Sequence, residues 1–186
     1  MSNLPVGVLL AAGKGRRFGG NKLLHPVADG TPMLLASAKT LASALPDTVT
    51  VINQDLKFYA AQLEQLGMRV VINNEAEKGM GSSVACGVKA SEDATGWLIA
   101  LADMPYIKTE TISQLANEMT RGAEIVAPSY AGRRGHPVGF SAHCKDELLA
   151  LNTDVGARHI IEAHREQLAL LETDDEGVIT DIDHRV

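Results

Sequence analysis

The stretch from Val6 to Lys22, Val-Gly-Val-Leu-Leu-Ala-Ala-Gly-Lys-Gly-Arg-Arg-Phe-Gly-Gly-Asn-Lys, constrains this chain more than any other. Its first part, Val6 to Ala12, is an unbroken apolar run too short for a buried helix, and it suits a strand covered on both faces. Four glycines (Gly13, Gly15, Gly19, Gly20) and four cations (Lys14, Arg16, Arg17, Lys22) follow at once. Glycine lacks a Cβ and lets backbone N–H groups turn toward a ligand, and the cations bring positive charge to the same concavity. A loop of this make-up suits a polyphosphate. Gly15 and Gly20 have the spacing of a P-loop, but Asn21 follows Gly20 and no hydroxyl comes after Lys22, so that pattern fails. The dinucleotide fingerprint begins well at Gly13 and Gly15 but meets Phe18 where its third glycine belongs.

Downstream, short β-branched runs alternate with helical periodicity. The spacing predicts helices over Met33–Leu45, Leu56–Leu66, Val84–Ala90, Thr109–Thr120, Cys144–Leu151 and Ala157–His164. It predicts strands at Val49–Ile52, Arg69–Ile72, Trp97–Ala102, Glu124–Pro128, Leu168–Leu171 and Val178–Asp181. This alternation is the pattern of a three-layer αβα, Rossmann-like fold with a mostly parallel twisted sheet, one domain over residues 1–186, with ligands at the carboxyl ends of the strands.

Several residues at those ends carry chemistry. Asp103 follows the strand Trp97–Ala102 and is well placed to hold a divalent cation, for which magnesium is expected. Gly79 and Gly81 permit a tight approach, and Ser82 or Ser83 is expected to cap the next helix while its free N–H groups face a ligand. Tyr130 to Phe140 reads as a loop with two glycines, two arginines and a histidine before a short strand. Arg133 and Arg134 either clamp an acceptor phosphate or stand solvated, and His136 either exchanges a proton or serves a turn. His159 and His164 are five apart, on different helix faces, which argues against a metal pair.

Composition narrows the partners. The net charge of −6 makes the basic loop a local patch on an acidic body, which argues against a general nucleic-acid binder and for small anionic ligands. The two cysteines, Cys86 and Cys144, lack CxxC spacing, so neither a disulfide framework nor a zinc site is indicated and a reduced, cytoplasmic setting is expected. No apolar run approaches the roughly 20 residues of a membrane span.

Leu10-Ala11-Ala12-Gly13, Arg17, Gly19 and Asn21-Lys22-Leu23-Leu24 together resemble the signature loop of the MobA-like nucleotidyltransferases, most closely the molybdenum cofactor cytidylyltransferase (MocA) branch. The resemblance implies a nucleotide-binding loop in which Arg17 and Lys22 contact the triphosphate, with Leu10, Ala11, Ala12, Gly13 and Gly15 lining it. It implies that Gly79-Met80-Gly81-Ser82-Ser83 lines the base and ribose, and that Leu101-Ala102-Asp103-Met104-Pro105 is the metal-binding strand end. Gly135-His136-Pro137 is similar to a Gly-His-Pro signature near the second substrate, and Gly156-Ala157-Arg158 resembles an element that places Arg158 near that acceptor; the alternative is that Arg158 pairs with Asp154. Asp183 is implied as the second metal ligand, although the chain stops at Val186 where the family continues into a helix.

The expected reaction is magnesium-dependent attack by an acceptor phosphate oxygen on the α-phosphorus of an NTP, with release of pyrophosphate. The resemblance implies CTP as donor, favoured over GTP by Ala12, a molybdopterin-type acceptor, and a molybdoenzyme as a further partner. A guanylyltransferase, a sugar- or polyol-phosphate nucleotidyltransferase and a non-catalytic cofactor carrier are the rivals. Neither the Gly-x-Gly-Thr-Arg loop of sugar nucleotidyltransferases nor the Pro-Lys-Gln of methylerythritol cytidylyltransferases is matched here.

Overall fold

The computed structural model describes residues 3–13 and 21–182. Strand β1 (Val6–Ala11) is buried at every position and sits between two parallel neighbours, β2 (Thr48–Ile52) and β4 (Gly96–Leu101). Beyond β2 lies β3 (Arg69–Ile72), also parallel. On the other flank β7 (Val138–Ser141) runs antiparallel to both β4 and β5 (Ile125–Tyr130). β5 also pairs in parallel with β8 (Leu168–Glu172) and antiparallel with the two-residue β6 (Arg133–Arg134). The sheet is therefore mixed but mostly parallel, as the alternation of strands and helices predicts.

The side-chain period of two divides each central strand between the two faces. From β1, Leu9 and Ala11 join one buried cluster while Val6, Val8 and Leu10 join the other. From β4, Leu98 and Ala100 face the first, Trp97 and Ile99 the second. The first cluster is closed by α1 (Met33–Ala44) and α4 (Thr109–Thr120) through Met33, Leu34, Leu41, Ile112 and Leu115. The second is closed by α3 (Met80–Lys89), α5 (Lys145–Leu149) and α6 (Arg158–Ala163) through Val84, Val88, Leu148, Ile160 and Ile161. Burying Val84 and Val88 contributes about 1.5–3 kcal/mol each, which offsets the propensity cost of the glycines and serines within α3. Gly87 is one of these, and a Cβ there would collide with Val8 of β1, so the helix reaches the sheet only because that atom is missing.

Local structure departs from the spacing in five places. The predicted strand Val178–Asp181 is instead a 3-10 turn over Glu176–Ile179. Asp175, 1% exposed, overrides the β-branched run: its carboxylate accepts from the backbone N–H of Gly177 (3.0 Å) and Lys108 (2.8 Å) and from the Thr111 hydroxyl (2.7 Å), curling the chain there. The predicted helix Leu56–Leu66 splits into a 3-10 stretch (Gln54–Tyr59), started by the Asn53 side chain, and α2 (Ala60–Gln65). α3 begins at Met80 rather than Val84, so Ser82 and Ser83 lie inside its first turn and are not caps. β5 runs through Pro128 to Tyr130: the missing Pro128 donor faces the break between β6 and β7, and its carbonyl still accepts from Gly135 N–H (2.8 Å). The predicted loop Tyr130–Phe140 is a hairpin, with Ala131 (φ 49°) and Gly132 (φ 76°) turning β5 back into β6. A smaller shift accompanies these: Cys144–Leu151 resolves into a 3-10 turn (Ala142–Cys144) followed by α5. Among the described residues no helix is long and apolar enough to cross a membrane.

The Asp175 hub ties the Glu176–Ile179 turn to the start of α4. An Asp175→Ala variant strands three donors in a buried setting and is expected to lose about 3 kcal/mol of stability, read as a lower urea midpoint.

Candidate active site

The parallel arrangement brings the carboxyl ends of β1, β2, β3 and β4 to one edge, and each ends in a polar or glycine residue: Gly13, Asn53, Asn73 and Asp103. Two of these bind the edge together. Asn53 donates from Nδ2 to the Ala12 carbonyl (3.0 Å) and accepts the Leu56 N–H (3.2 Å). Asn73 donates from Nδ2 to Ser82 Oγ (2.9 Å) and Ser83 Oγ (3.1 Å), and Ser82 Oγ donates to the Gly79 carbonyl (2.8 Å). The two serine hydroxyls therefore hold the start of α3 against the end of β3.

Ala12 is buried, and its carbonyl is fixed by Asn53, so it sets the path of the chain leaving β1. After Asn21 accepts the Leu23 N–H (3.2 Å), a 3-10 turn over Lys22–Leu24 aims Lys22 back over the sheet edge. Its Nζ meets Asp103 Oδ2 at 2.8 Å, with side chains 15% and 24% exposed respectively. The backbone around Asp103 is held from three sides: Ala102 N–H donates to the Leu10 carbonyl (3.1 Å), Ser37 Oγ to the Ala102 carbonyl (2.9 Å) and Ile182 N–H to the Asp103 carbonyl (3.1 Å). The residues singled out at the glycine loop and at the Asp103 strand end thus meet. Gly15, Arg17 and Asp183 lie outside the described residues.

Beside this edge a cavity of about 170 Å³ opens between the sheet and α3 and α6. Leu10, Ile99 and Leu101 form its floor, Met80 and Val84 one wall, and Val155 and Ala157 another. Arg134, His136 and Arg158 supply its polar groups. Arg133 does not reach it: neighbouring residues of a strand point to opposite faces, and β6 sends Arg134 inward. Arg158 pairs with Glu162 (Nε to Oε1, 3.0 Å), not with Asp154, and as an exposed pair one helical turn apart it is held only weakly.

His136 is seated by its backbone, whose N–H donates to the Val178 carbonyl (2.8 Å). Gly135 packs so closely against Val178 that a Cβ would lie 2.7 Å from its carbonyl carbon, so the Glu176–Ile179 turn and the Gly135-His136 pair fit only as a unit. The imidazole Nδ1 is buried and finds no hydrogen-bond partner among the described residues. Burial, with the Arg134 guanidinium adding to it and Asp103 opposing, pushes the His136 pKa down to about 4, so the ring is neutral at neutral pH. Burial, with Glu147 and Glu124 adding to it, pushes the Cys144 thiol up to about 11, and burial raises Cys86 as well, which leaves neither as a ready nucleophile.

The sequence singles out Lys22, Asp103 and His136 by residue type and Arg158 by resemblance, but not Asn53 and Asn73 as ties along the strand ends. A signal was present: each directly follows a β-branched run, as Asp103 follows its apolar strand. Among the described residues no group of three or more His, Cys, Asp or Glu side chains is arranged to hold a metal. A lone carboxylate at a partly open edge still fits magnesium, which takes one or two carboxylates and completes its shell with phosphate oxygens and water.

Comparison with known proteins agrees with this architecture. The model of the MobA-like NTP transferase domain matches residues 7–168. The chain is 33% identical over 189 residues to the purine catabolism protein PucB of Bacillus subtilis, covering 96% of this chain and 91% of that protein. It is 30% identical to the nicotine blue oxidoreductase of Paenarthrobacter nicotinovorans (95% and 91% covered) and 31% identical over 121 residues to a probable molybdenum cofactor guanylyltransferase of Thermococcus gammatolerans (64% and 59% covered). Among solved structures, Rv0371c from Mycobacterium tuberculosis H37Rv superposes with a TM-score of 0.81 at 27% identity, covering 98% of this chain and 94% of that one. With its matched domain, its strand-end chemistry and these relatives, the chain belongs to the MobA-like NTP transferase family of nucleotidyltransferases.

Proposed function

We propose that this nucleotidyltransferase moves a cytidylyl group from CTP to a phosphorylated acceptor of molybdopterin type and releases pyrophosphate. The observation that supports it most is the Lys22–Asp103 contact at the sheet edge, directly beside a cavity carrying Arg134, His136 and Arg158. A cation and a carboxylate meet there where a triphosphate and its counter-ion belong, and a second, separately charged pocket opens next to them. Leu10 belongs to both, as part of β1 and of the cavity floor. CTP as donor, cytidine over guanosine, rests on the resemblance at Ala12.

The reaction is a substitution at phosphorus. A phosphate oxygen of the acceptor attacks the α-phosphorus of the nucleotide, a new P–O bond forms, and the bond to the β-phosphate oxygen breaks with its electrons leaving on pyrophosphate. Lys22, released from Asp103 by incoming phosphates, stabilises the negative charge that builds on the transferring group. Asp103 and, by resemblance, Asp183 would hold magnesium, which would supply positive charge to offset the negative charge of the phosphates and of the pyrophosphate. Arg17 is assigned to the triphosphate by the same resemblance. On the acceptor side Arg134 and Arg158 face anionic groups from opposite walls, and neutral His136 offers a hydrogen bond without adding charge. The chain's contribution is alignment within a partly water-excluded cleft, with no covalent enzyme intermediate.

Three measurements test this reading. Pyrophosphate release with CTP and GTP in parallel is expected to favour CTP, and a GTP preference defeats the Ala12 argument. An Asp103→Asn variant is expected to lose about 100-fold or more of that release with an unchanged circular dichroism spectrum; full turnover removes the assignment of Asp103. The third concerns pH. An unfolded histidine takes up a proton below its ordinary value of 6.5, but His136 in the folded chain does so only near 4. Stability from this group is complete above pH 6.5 and drains away as pH falls toward 4, by at most about 3 kcal/mol. A His136→Gln variant is expected to flatten the urea midpoint across that window.

A further inference from the structure

We propose that Gly79 and Gly81 are positioning residues for the acceptor cavity: they seat the segment from Asn152 to Gly156 on the start of α3, and that strap carries the cavity wall. The proposal rests on the acceptor reading of the cavity given above, and it departs from the expectation that these glycines face the nucleotide.

The close approach that the glycines permit is already taken, by the chain itself. Gly81 N–H donates to the Thr153 carbonyl at 2.8 Å, so a backbone donor at the beginning of α3 is spent internally. A Cβ on Gly81 would lie 2.7 Å from that carbonyl oxygen and 3.0 Å from Thr153 N. A Cβ on Gly79, where φ is +112°, would lie 2.6 Å from both the N and Cα of Asp154, and would also overlap its carboxylate. The strap's far end is fitted in the same way: Gly156, at φ +58°, packs against Met80, and a Cβ there would be 3.2 Å from the Met80 sulfur. Contacts at both ends thus fix the strap to the first turn of α3.

The strap in turn sets the cavity. Val155 and Ala157 line it, Met80 beneath the strap lines it from the other side, and Arg158 enters it as the first residue of α6. With a side chain at position 81, Thr153 must withdraw, and Val155, Ala157 and the start of α6 move with it. The strap meets the rest of the chain at Gly79, Met80 and Gly81, at the start of α3, so the change is expected to act on the cavity and to spare nucleotide affinity.

The test uses the full chain and a Gly81→Ala variant. Hydrogen exchange of peptides spanning 150–160 is expected to speed up at least tenfold. Affinity for whichever of CTP or GTP the wild-type chain binds, measured by calorimetry with magnesium, is expected to stay within twofold. With molybdopterin as acceptor, KM is expected to rise at least tenfold with kcat within twofold. A tenfold loss of nucleotide affinity, with or without a change in KM, overturns the proposal, as does unchanged exchange. A second variant, Val155→Asp, puts a carboxylate on the exposed strap without touching α3. It is expected to raise KM while nucleotide affinity holds, and an unchanged KM overturns the proposal. If molybdopterin is not the acceptor, the wild-type chain gives no turnover with it, and the exchange and calorimetry arms still decide whether the strap depends on Gly81.

Discussion

The parallel pairing of β1 with β2 on one side and β4 on the other is the constraint on which everything else in this molecule rests. Three strands running the same way, each buried on both faces, must send their carboxyl ends to a common edge. Helices on both sides are then obligatory, because parallel neighbours can be joined only by crossovers, and both apolar faces need cover. Gly13 and the polar residues Asn53 and Asp103 come to one edge although they are far apart in the chain. The edge needs internal ties as much as ligand groups, and Asn53 on the Ala12 carbonyl and Ser37 on the Ala102 carbonyl are such ties.

The core was legible from the chain because burial on both faces leaves an unmistakable mark: Val6–Ala12 and Trp97–Ala102 are unbroken apolar runs, and both became central strands. Asp103 was legible for the same reason, being the first charge after such a run. What spacing could not see were places where one distant contact outbids local preference. Val178-Ile179-Thr180 has strand composition, yet Asp175, fixed by donors from the start of α4, curls it into a turn. Ser82 and Ser83 look like caps by type, but Asn73 reaches across from β3 and claims both hydroxyls, and α3 starts two residues earlier. Arg133 and Arg134 are indistinguishable as letters; only the pleat of a two-residue strand separates the one that faces the cavity from the one that does not.

The Gly135-His136 pair illustrates how a turn on the opposite side of the chain enters the site. Glu176–Ile179 offers the Val178 carbonyl to His136 N–H and packs its backbone against Gly135, while Asp175 locks the same turn to α4. A buried carboxylate outside the cavity lining thus helps to hold His136 in the cavity wall. The ring's Nδ1, without a partner among the described residues, is a cost to the folded chain, since a buried polar atom without a hydrogen bond forfeits its hydration.

The Lys22–Asp103 pair is informative through its position. Its 2.8 Å contact joins side chains 15% and 24% exposed, so each keeps only a small opening to water at the sheet edge. In the proposed reaction it would hold a cation and an anion at the point where an incoming nucleotide and its metal ion present the opposite charges. Phosphate oxygens would take the lysine and the metal the carboxylate, each exchange replacing one ionic contact with another. A buried, strongly held pair would resist that exchange, since separating it would strand a charge in the interior. The edge where β1 and β4 end brings these two residues together in the free chain, and the proposed reaction would have them part.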